Sequence, residues 1–263
     1  SSDLILSIDA STQSVYHFSN TDKNISLLDI SETFGTYDGS FVLYDNNLDS
    51  WKIYDLEEAT KRIPPESTYK IYDALLGLES GIITPEHSSM TWNGDAFPFP
   101  SWEADQDLNS AMQNSVNWYF QAIDSQLGIN RVQEFLNKIE YGNQTTSSNL
   151  DLYWSDFSLK ISPLEQVTLL KKFNTNEFHL NSQNVFSVKN AIKIASTPNG
   201  NFYGKTGTGR VNGQDINGWF IGYVETSDNS YYFATNIQSD SNATGKKAFE
   251  ITSDILKKLH IWN

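Results

Sequence analysis

Ser67 and Lys70 stand three residues apart in the stretch Pro64-Pro65-Glu66-Ser67-Thr68-Tyr69-Lys70. On a helix this spacing puts both side chains on one face, with about 5–6 Å between their Cβ atoms. A lysine amine takes a proton from a serine hydroxyl only when the amine is neutral. Burial in an apolar pocket lowers a lysine pKa toward that state, and so does the positive end of a helix. Ser67 is then a nucleophile and Lys70 its base. Taken alone, Ser-x-x-Lys is also the start of an ordinary helix with a solvated lysine, so its meaning depends on the rest of the chain.

Three further polar stretches follow in order: Ser115-Val116-Asn117, Tyr141-Gly142-Asn143 and Lys205-Thr206-Gly207-Thr208. Taken singly they also have plain readings. Ser115 fits a polar helix position, Asn143 a helix stop, Lys205 a solvated strand lysine and Trp154 a core aromatic with a satisfied N–H.

The elements that must position these residues are legible from periodicity. Ile71, Ala74, Leu75 and Leu78 recur at helical spacing after the two prolines, which predicts a helix over 67–78. Phe41–Asp45 and Trp51–Tyr54 read as a hairpin. Residues 3–18 read as leader strands or irregular packing, and Asn20 to Asn24 as a polar turn. Asp107 is placed to cap one helical pattern running through Leu108, Ala111, Met112, Ser115, Val116, Tyr119 and Phe120. A second pattern runs through Val132, Phe135, Leu136 and Ile139, with Tyr141-Gly142-Asn143 as its stop. Ser162, Pro163 and Glu165 form a capping-box signature before Leu164, Val167, Leu170 and Phe173. A polar stretch over 174–184 precedes a helical pattern from Val185 to Ile194. Strands are expected over 201–209, 216–224 and 231–236, and a closing helix through Phe249, Ile251, Ile255 and Leu259. Strands, helices, strands and a last helix predict an α+β arrangement: an antiparallel sheet flanked by helices, with a mostly helical insert.

The chain has 263 residues, with 7 Trp, 13 Tyr and 15 Phe, enough for a substantial core. Its 18 basic and 32 acidic residues give a formal charge of −14, which argues against nucleic acid or anionic lipid as partners. Without cysteine there is no thiolate chemistry and no cysteine metal site. No apolar run approaches the roughly 20 residues of a membrane helix. Neither a dinucleotide fingerprint nor a phosphate-binding loop is present.

Ser67-Thr68-Tyr69-Lys70, Ser115-Val116-Asn117 and Lys205-Thr206-Gly207-Thr208 together resemble the motifs of beta-lactamases and penicillin-binding proteins. Tyr141-Gly142-Asn143 and Trp154 resemble the class D branch in particular. Phe41–Asp45, Trp92-Asn93-Gly94, Asn114–Gln121, Ile161–Val167 and Gly218–Gly222 carry the resemblance over nearly the whole chain. It implies a transpeptidase-like fold of the α+β type, one domain of two packed lobes: a sheet lobe at about 1–63 and 185–263, and a helical lobe at about 64–184. Opening a strained lactam amide needs a nucleophile, a base, an oxyanion site and a cation for the substrate carboxylate. The resemblance implies that Ser67 attacks, Lys70 deprotonates it and Ser115 relays the proton to the leaving nitrogen. Lys205, Thr206 and Thr208 would bind the carboxylate beside Gly207, and the N–H groups of Ser67 and Thr208 would form the oxyanion hole. Tyr141, Asn143 and Trp154 complete the ligand-binding set. No metal or other cofactor is implied, apart from carboxylation of Lys70 by carbon dioxide, with Trp154 as the carbamate's hydrogen-bond donor.

Departures from the class D pattern bear on turnover. Asn117 stands where that family usually has valine, and Ser155 where it has leucine. The late carboxylate-binding arginine is missing near Ala248, with Lys247 beside it. A polar amide beside Lys70 offers the amine a partner other than a carbamate, so acylation is expected to outpace hydrolysis. This resembles the extracellular penicillin-sensing domain of staphylococcal sensor-transducers. The resemblance implies a monomeric domain on the outer face of a membrane, whose partners are beta-lactam antibiotics and a membrane-bound zinc-protease part not contained in this sequence. The alternatives are a hydrolysing class D beta-lactamase, a D-Ala-D-Ala peptidase and a binding module that keeps only the fold.

Overall fold

Alternation along the strands sorts the side chains into two cores, one on each face of a central sheet. In the strand Asp38–Asp45, Phe41 and Leu43 enter one cluster while Val42 and Tyr44 enter the other. In Gln214–Glu225, Phe220 and Val224 separate in the same way from Trp219, Ile221 and Tyr223. Successive strand side chains point to opposite faces, and apolar residues at both parities make a strand that is buried twice.

The computed structural model describes Leu4–Ser7, Val15–Phe18 and residues 24–263. In chain order the elements are β1 (Leu4–Ser7), β2 (Val15–Phe18), β3 (Ile25–Leu27), α1 (Ser31–Phe34), β4 (Asp38–Asp45), β5 (Ser50–Tyr54), α2 (Leu56–Thr60), a 3-10 turn (Glu66–Tyr69) and α3 (Lys70–Glu79). A short 3-10 turn (Pro100–Trp102) precedes α4 (Leu108–Gln113), α5 (Asn117–Leu127), α6 (Ile129–Ile139), α7 (Pro163–Asn174) and α8 (Ser182–Ala191). Then come β6 (Lys193–Thr197), β7 (Gly200–Val211), β8 (Gln214–Glu225), β9 (Ser230–Gln238) and α9 (Gly245–Lys258). β1 and β2 form their own antiparallel pair, as leader strands; most of the turn expected after them lies outside the described residues.

The main sheet has seven strands in the order β3-β5-β4-β9-β8-β7-β6. It is antiparallel except at one edge, where β3 runs parallel to β5, a departure from the all-antiparallel expectation. The first core lies between the sheet and α3–α8; the second lies under α1 and α9. No helix among the described residues is long and apolar enough to cross a membrane.

Several local expectations need correction. The expected helix from Ser67 begins as a 3-10 turn with no side-chain cap, and the α-helix starts at Lys70. The pattern from Leu108 to Phe120 is two helices, broken where Ser115 takes a φ of 54°. Apolar spacing survived the break because both helices pack on the same core. α6 stops at Glu140, whose φ is 56°, one residue before Tyr141. α8 begins at Ser182, inside the polar stretch, because Asn181 caps it; it ends at Ala191, and the unanticipated edge strand β6 follows. The capping box at Ser162 is present as expected, and Asp107 caps α4 as expected, in a capping box with Ser110 that was not anticipated.

Candidate active site

The turn that carries Ser67 is fixed from three sides. Pro64 O accepts from Trp219 Nε1 at 2.8 Å and from Asn217 Nδ2 at 3.1 Å, which ties the turn to β8. Glu66 N donates to Trp154 O at 3.0 Å. Behind the turn, Thr68 Oγ1 donates to Pro65 O at 2.6 Å and accepts from Gln166 Nε2 on α7 at 2.9 Å. Glu66 sits at a φ of 51°, a conformation costly for a non-glycine residue and held by these surroundings.

Lys70 is buried at the start of α3, with its Nζ 2.8 Å from Ser67 Oγ and 2.8 Å from Asn117 Oδ1. The amine also lies 4.3 Å from the centroid of the Trp154 ring. Burial pushes its pKa well below the ordinary lysine value, and the charge of Lys205 pushes the same way; Asp73, Glu66 and Asp124 oppose. Burial therefore wins, and a neutral amine can accept the Ser67 proton across the same 2.8 Å. Ser67 and Lys70, paired from their spacing in the sequence, are hydrogen-bonded to each other in space.

Ser115 faces the pair from the break between α4 and α5. Its left-handed backbone turns Oγ toward β7, where Lys205 Nζ donates to it at 3.0 Å and to Thr206 O at 3.0 Å. Burial lowers the Lys205 pKa to about 7. β6 pairs with β7 only over Gly200–Tyr203, which leaves Lys205–Gly209 with one edge free of strand pairing beside the Ser67 turn. Gly207 is needed for that approach: a Cβ there would lie 3.3 Å from Ser67 N and 3.2 Å from Pro65 O. Thr206 and Thr208 lie on the alternate face of β7, toward α9, where Thr208 Oγ1 accepts from Gly245 N at 2.9 Å. The late position holds no cation: Ala248 is buried in α9 and Lys247 pairs with Glu250 at 3.3 Å.

Of the remaining expected residues, Trp154 lies against Lys70 and Tyr141 packs behind the Ser67 turn, while Asn143 bonds to the backbone of loops at 158–160. Asn143 donates to Ser158 O at 2.7 Å and accepts from Lys160 N at 2.9 Å, so its side chain clamps two loops together. Tyr141 is fully buried, edge-on to both Tyr69 and Tyr72. Trp154 is buried with Nε1 in no hydrogen bond of ordinary geometry among the described residues, though it opposes in part the burial that raises the Asp124 pKa.

Sequence reasoning missed three acids around Lys70. Glu66 is buried against Gly209, and burial raises its pKa to about 8. Asp73 lies one helical turn after Lys70, fully buried, and Asp124 lies fully buried on α5. Tyr153 Oη donates to Asp124 Oδ1 at 3.1 Å. Neither oxygen of Asp73, nor Asp124 Oδ2, has another donor among the described residues. The two carboxyls act on each other: the charge of Asp124 adds to burial in raising the Asp73 pKa. Burial raises both: Asp73 well above the carboxylate range, Asp124 to about 7. The available signal was an acid at position 73 inside a run with apolar residues on every side.

These surroundings do not fit a carboxylated Lys70. A carbamate is an anion, whereas the amine already faces the Asn117 carbonyl oxygen and the Asp73–Asp124 pair lies behind it. Among the described residues no cluster of three or more His, Cys, Asp or Glu side chains is arranged to hold a metal ion.

Residues 8–257 match the family model described as the penicillin binding protein transpeptidase domain. The chain is 46% identical over 241 residues to regulatory protein BlaR1 of Bacillus licheniformis, covering 91% of this chain and 40% of that protein. It is 42% identical over 228 residues to the methicillin resistance mecR1 protein of Staphylococcus aureus, covering 87% and 39%. The chain thus spans about two fifths of these curated relatives. Among solved structures, the C-terminal domain of the Bacillus licheniformis BlaR penicillin-receptor superposes with a TM-score of 0.89 at 46% identity, covering 91% of this chain and 98% of that one. Class D beta-lactamase BAT-2 gives a TM-score of 0.84 at 36% identity, covering 90% and 97%. The resemblance read from the motifs holds across fold and sequence, and the chain belongs to the penicillin binding protein transpeptidase domain family, alongside the BlaR penicillin-receptor domain and the class D beta-lactamases.

Proposed function

We propose that this chain is a beta-lactam receptor that captures the drug covalently on Ser67 and releases it slowly. The observation that carries the reading is the double hydrogen bond of Lys70 Nζ, to Ser67 Oγ and to Asn117 Oδ1, each at 2.8 Å. Neutral Lys70 takes the Ser67 proton as Oγ attacks the lactam carbonyl carbon. The C–N bond breaks, and the proton passes through Ser115 to the leaving nitrogen. Lys205, beside Ser115, supplies the cation for the drug carboxylate, with Thr206 and Thr208 on the same strand. The Ser67 and Thr208 N–H groups serve as oxyanion donors where β7 meets the turn.

Hydrolysis of the ester needs a base for water. With Nζ bound to Asn117 Oδ1 at 2.8 Å, Lys70 is held to the amide rather than offered to an attacking water. The receptor reading is supported by the similarity to a penicillin-receptor domain. On this reading a membrane and zinc-protease part lies in the rest of the parent protein, and the domain stands as a monomer on the membrane's outer face.

The test is intact mass against time after a small excess of benzylpenicillin, with and without bicarbonate. One adduct per chain, persisting for hours and absent in Ser67→Ala, is expected. Rapid return to free protein with hydrolysed drug in solution would instead establish a beta-lactamase, as several of its structural relatives are named.

A further inference from the structure

Lys70 is enclosed by groups from every element packed on it. The Ser67 turn contributes Glu66, α3 contributes Asp73, α5 contributes Asn117 and Asp124, and β7 contributes Lys205. Asp73 and Asp124 play no part in the acyl transfer described above. Both are fully buried, and Asp73 has no hydrogen-bond donor for either oxygen among the described residues. Two mutually repelling carboxyls buried from water do not ionise together, and Tyr153 Oη, donating to Asp124 Oδ1 at 3.1 Å, helps Asp124 hold the charge. Above about pH 7 the pair therefore carries one proton and one negative charge, with Asp73 one helical turn along α3 from Lys70 and Asp124 on α5.

We propose that Asp73 and Asp124 are positioning residues that keep Lys70 an unmodified amine, because the single negative charge they share opposes a second anion, a carbamate, on the lysine nitrogen. Carboxylation joins neutral Nζ to the carbon of carbon dioxide and releases one N–H proton to solvent, leaving N–COO⁻. Beside the pair, that product either faces a like charge or forces the pair to take up a second proton. Asn117 competes for the nitrogen, and the acid pair raises the free energy of the alternative. This deepens the receptor reading, on which it rests only for its consequence, slow hydrolysis of the adduct.

The experiment is ¹³C NMR of the 263-residue chain in ¹³C-bicarbonate at pH 8, without drug, comparing wild type with Asp73→Asn, Asp124→Asn and the double Asn variant. A single Asn donates its amide to the remaining carboxylate and keeps the negative charge, so both single variants should stay unlabelled like the wild type. The double variant is neutral and should show at least about tenfold more carbamate, the effect of removing one nearby unit charge at an effective dielectric of about 20. Retained acylation by benzylpenicillin, read by intact mass, shows that a variant is folded. If the double variant does not fold, Asp124→Leu replaces it, since it leaves Asp73 without a charged-state partner and hence protonated; the same gain is expected. A folded neutral variant with no more label than wild type overturns the proposal. So does a fully labelled wild type, or single Asn variants labelled as strongly as the double, which would trace the effect to packing rather than charge. Fast penicillin hydrolysis by the wild type would end the receptor reading, while the label comparison would still decide the role of the pair.

Discussion

Glu66 shows how much one buried acid beside the nucleophile can matter. Burial raises its pKa from 4.5 to about 8, against the smaller opposing effects of Asn217 and Lys70. In the unfolded chain the carboxyl ionises near its ordinary value, so between there and about pH 8 the folded state holds the extra proton. Stability linked to Glu66 is fully present below pH 4.5 and is lost as pH rises through about 8. Glu66→Gln keeps the shape and cannot ionise. Denaturant unfolding should show the variant gaining on wild type from pH 5 to pH 9, by at most about 3–4 kcal/mol. Parallel pH profiles for the two proteins would remove Glu66 as a titrating group.

At the scale of elements, the start of α7 joins local capping to a long-range ion pair. Ser162 Oγ accepts from Glu165 N at 3.2 Å and Glu165 Oε2 accepts from Ser162 N at 2.9 Å. The same carboxylate is bound by the Arg62 guanidinium, with Nε 3.0 Å from each oxygen, and both side chains are buried. Ser162→Ala removes one cap bond and should cost about 1 kcal/mol. Arg62→Ala leaves Glu165 buried and short of its counter-charge, at a cost of about 3–5 kcal/mol. Chemical denaturation of both variants measures the ratio, and equal losses would mean that the ion pair adds nothing beyond the cap.

Across the whole molecule, the catalytic turn depends on the sheet behind it. Trp219 on β8 and Pro64 before the turn lie 155 residues apart in the chain, yet Nε1 donates to Pro64 O at 2.8 Å from a fully buried indole. Trp219→Phe keeps most of the apolar volume and deletes that bond. A loss of about 1–2 kcal/mol in stability is expected. Slower acylation by benzylpenicillin should accompany it, because the Pro64 carbonyl before Ser67 is then held by Asn217 alone. Undiminished acylation in a destabilised protein would separate the bond's structural role from any effect on the nucleophile.

Motif order, strand alternation, the capping box at Ser162 and the cap at Asp107 were legible in the sequence because each is written in residues close together along the chain. Ser67 with Lys70, the β4–β5 hairpin and the three long strands β7–β9 all follow from such spacing. The break at Ser115 was not legible, since the apolar period of α4 runs in phase into α5 and only the tertiary backbone shows the left-handed residue between them. Nor was the edge strand β6, whose residues are mostly exposed and whose pairing is supplied by β7. The acids at 66, 73 and 124 appear in the sequence as ordinary charges. Their meaning arose when folding removed water from around them and set them about Lys70, since the charge a group carries depends on its solvent and neighbours, which the linear chain does not specify.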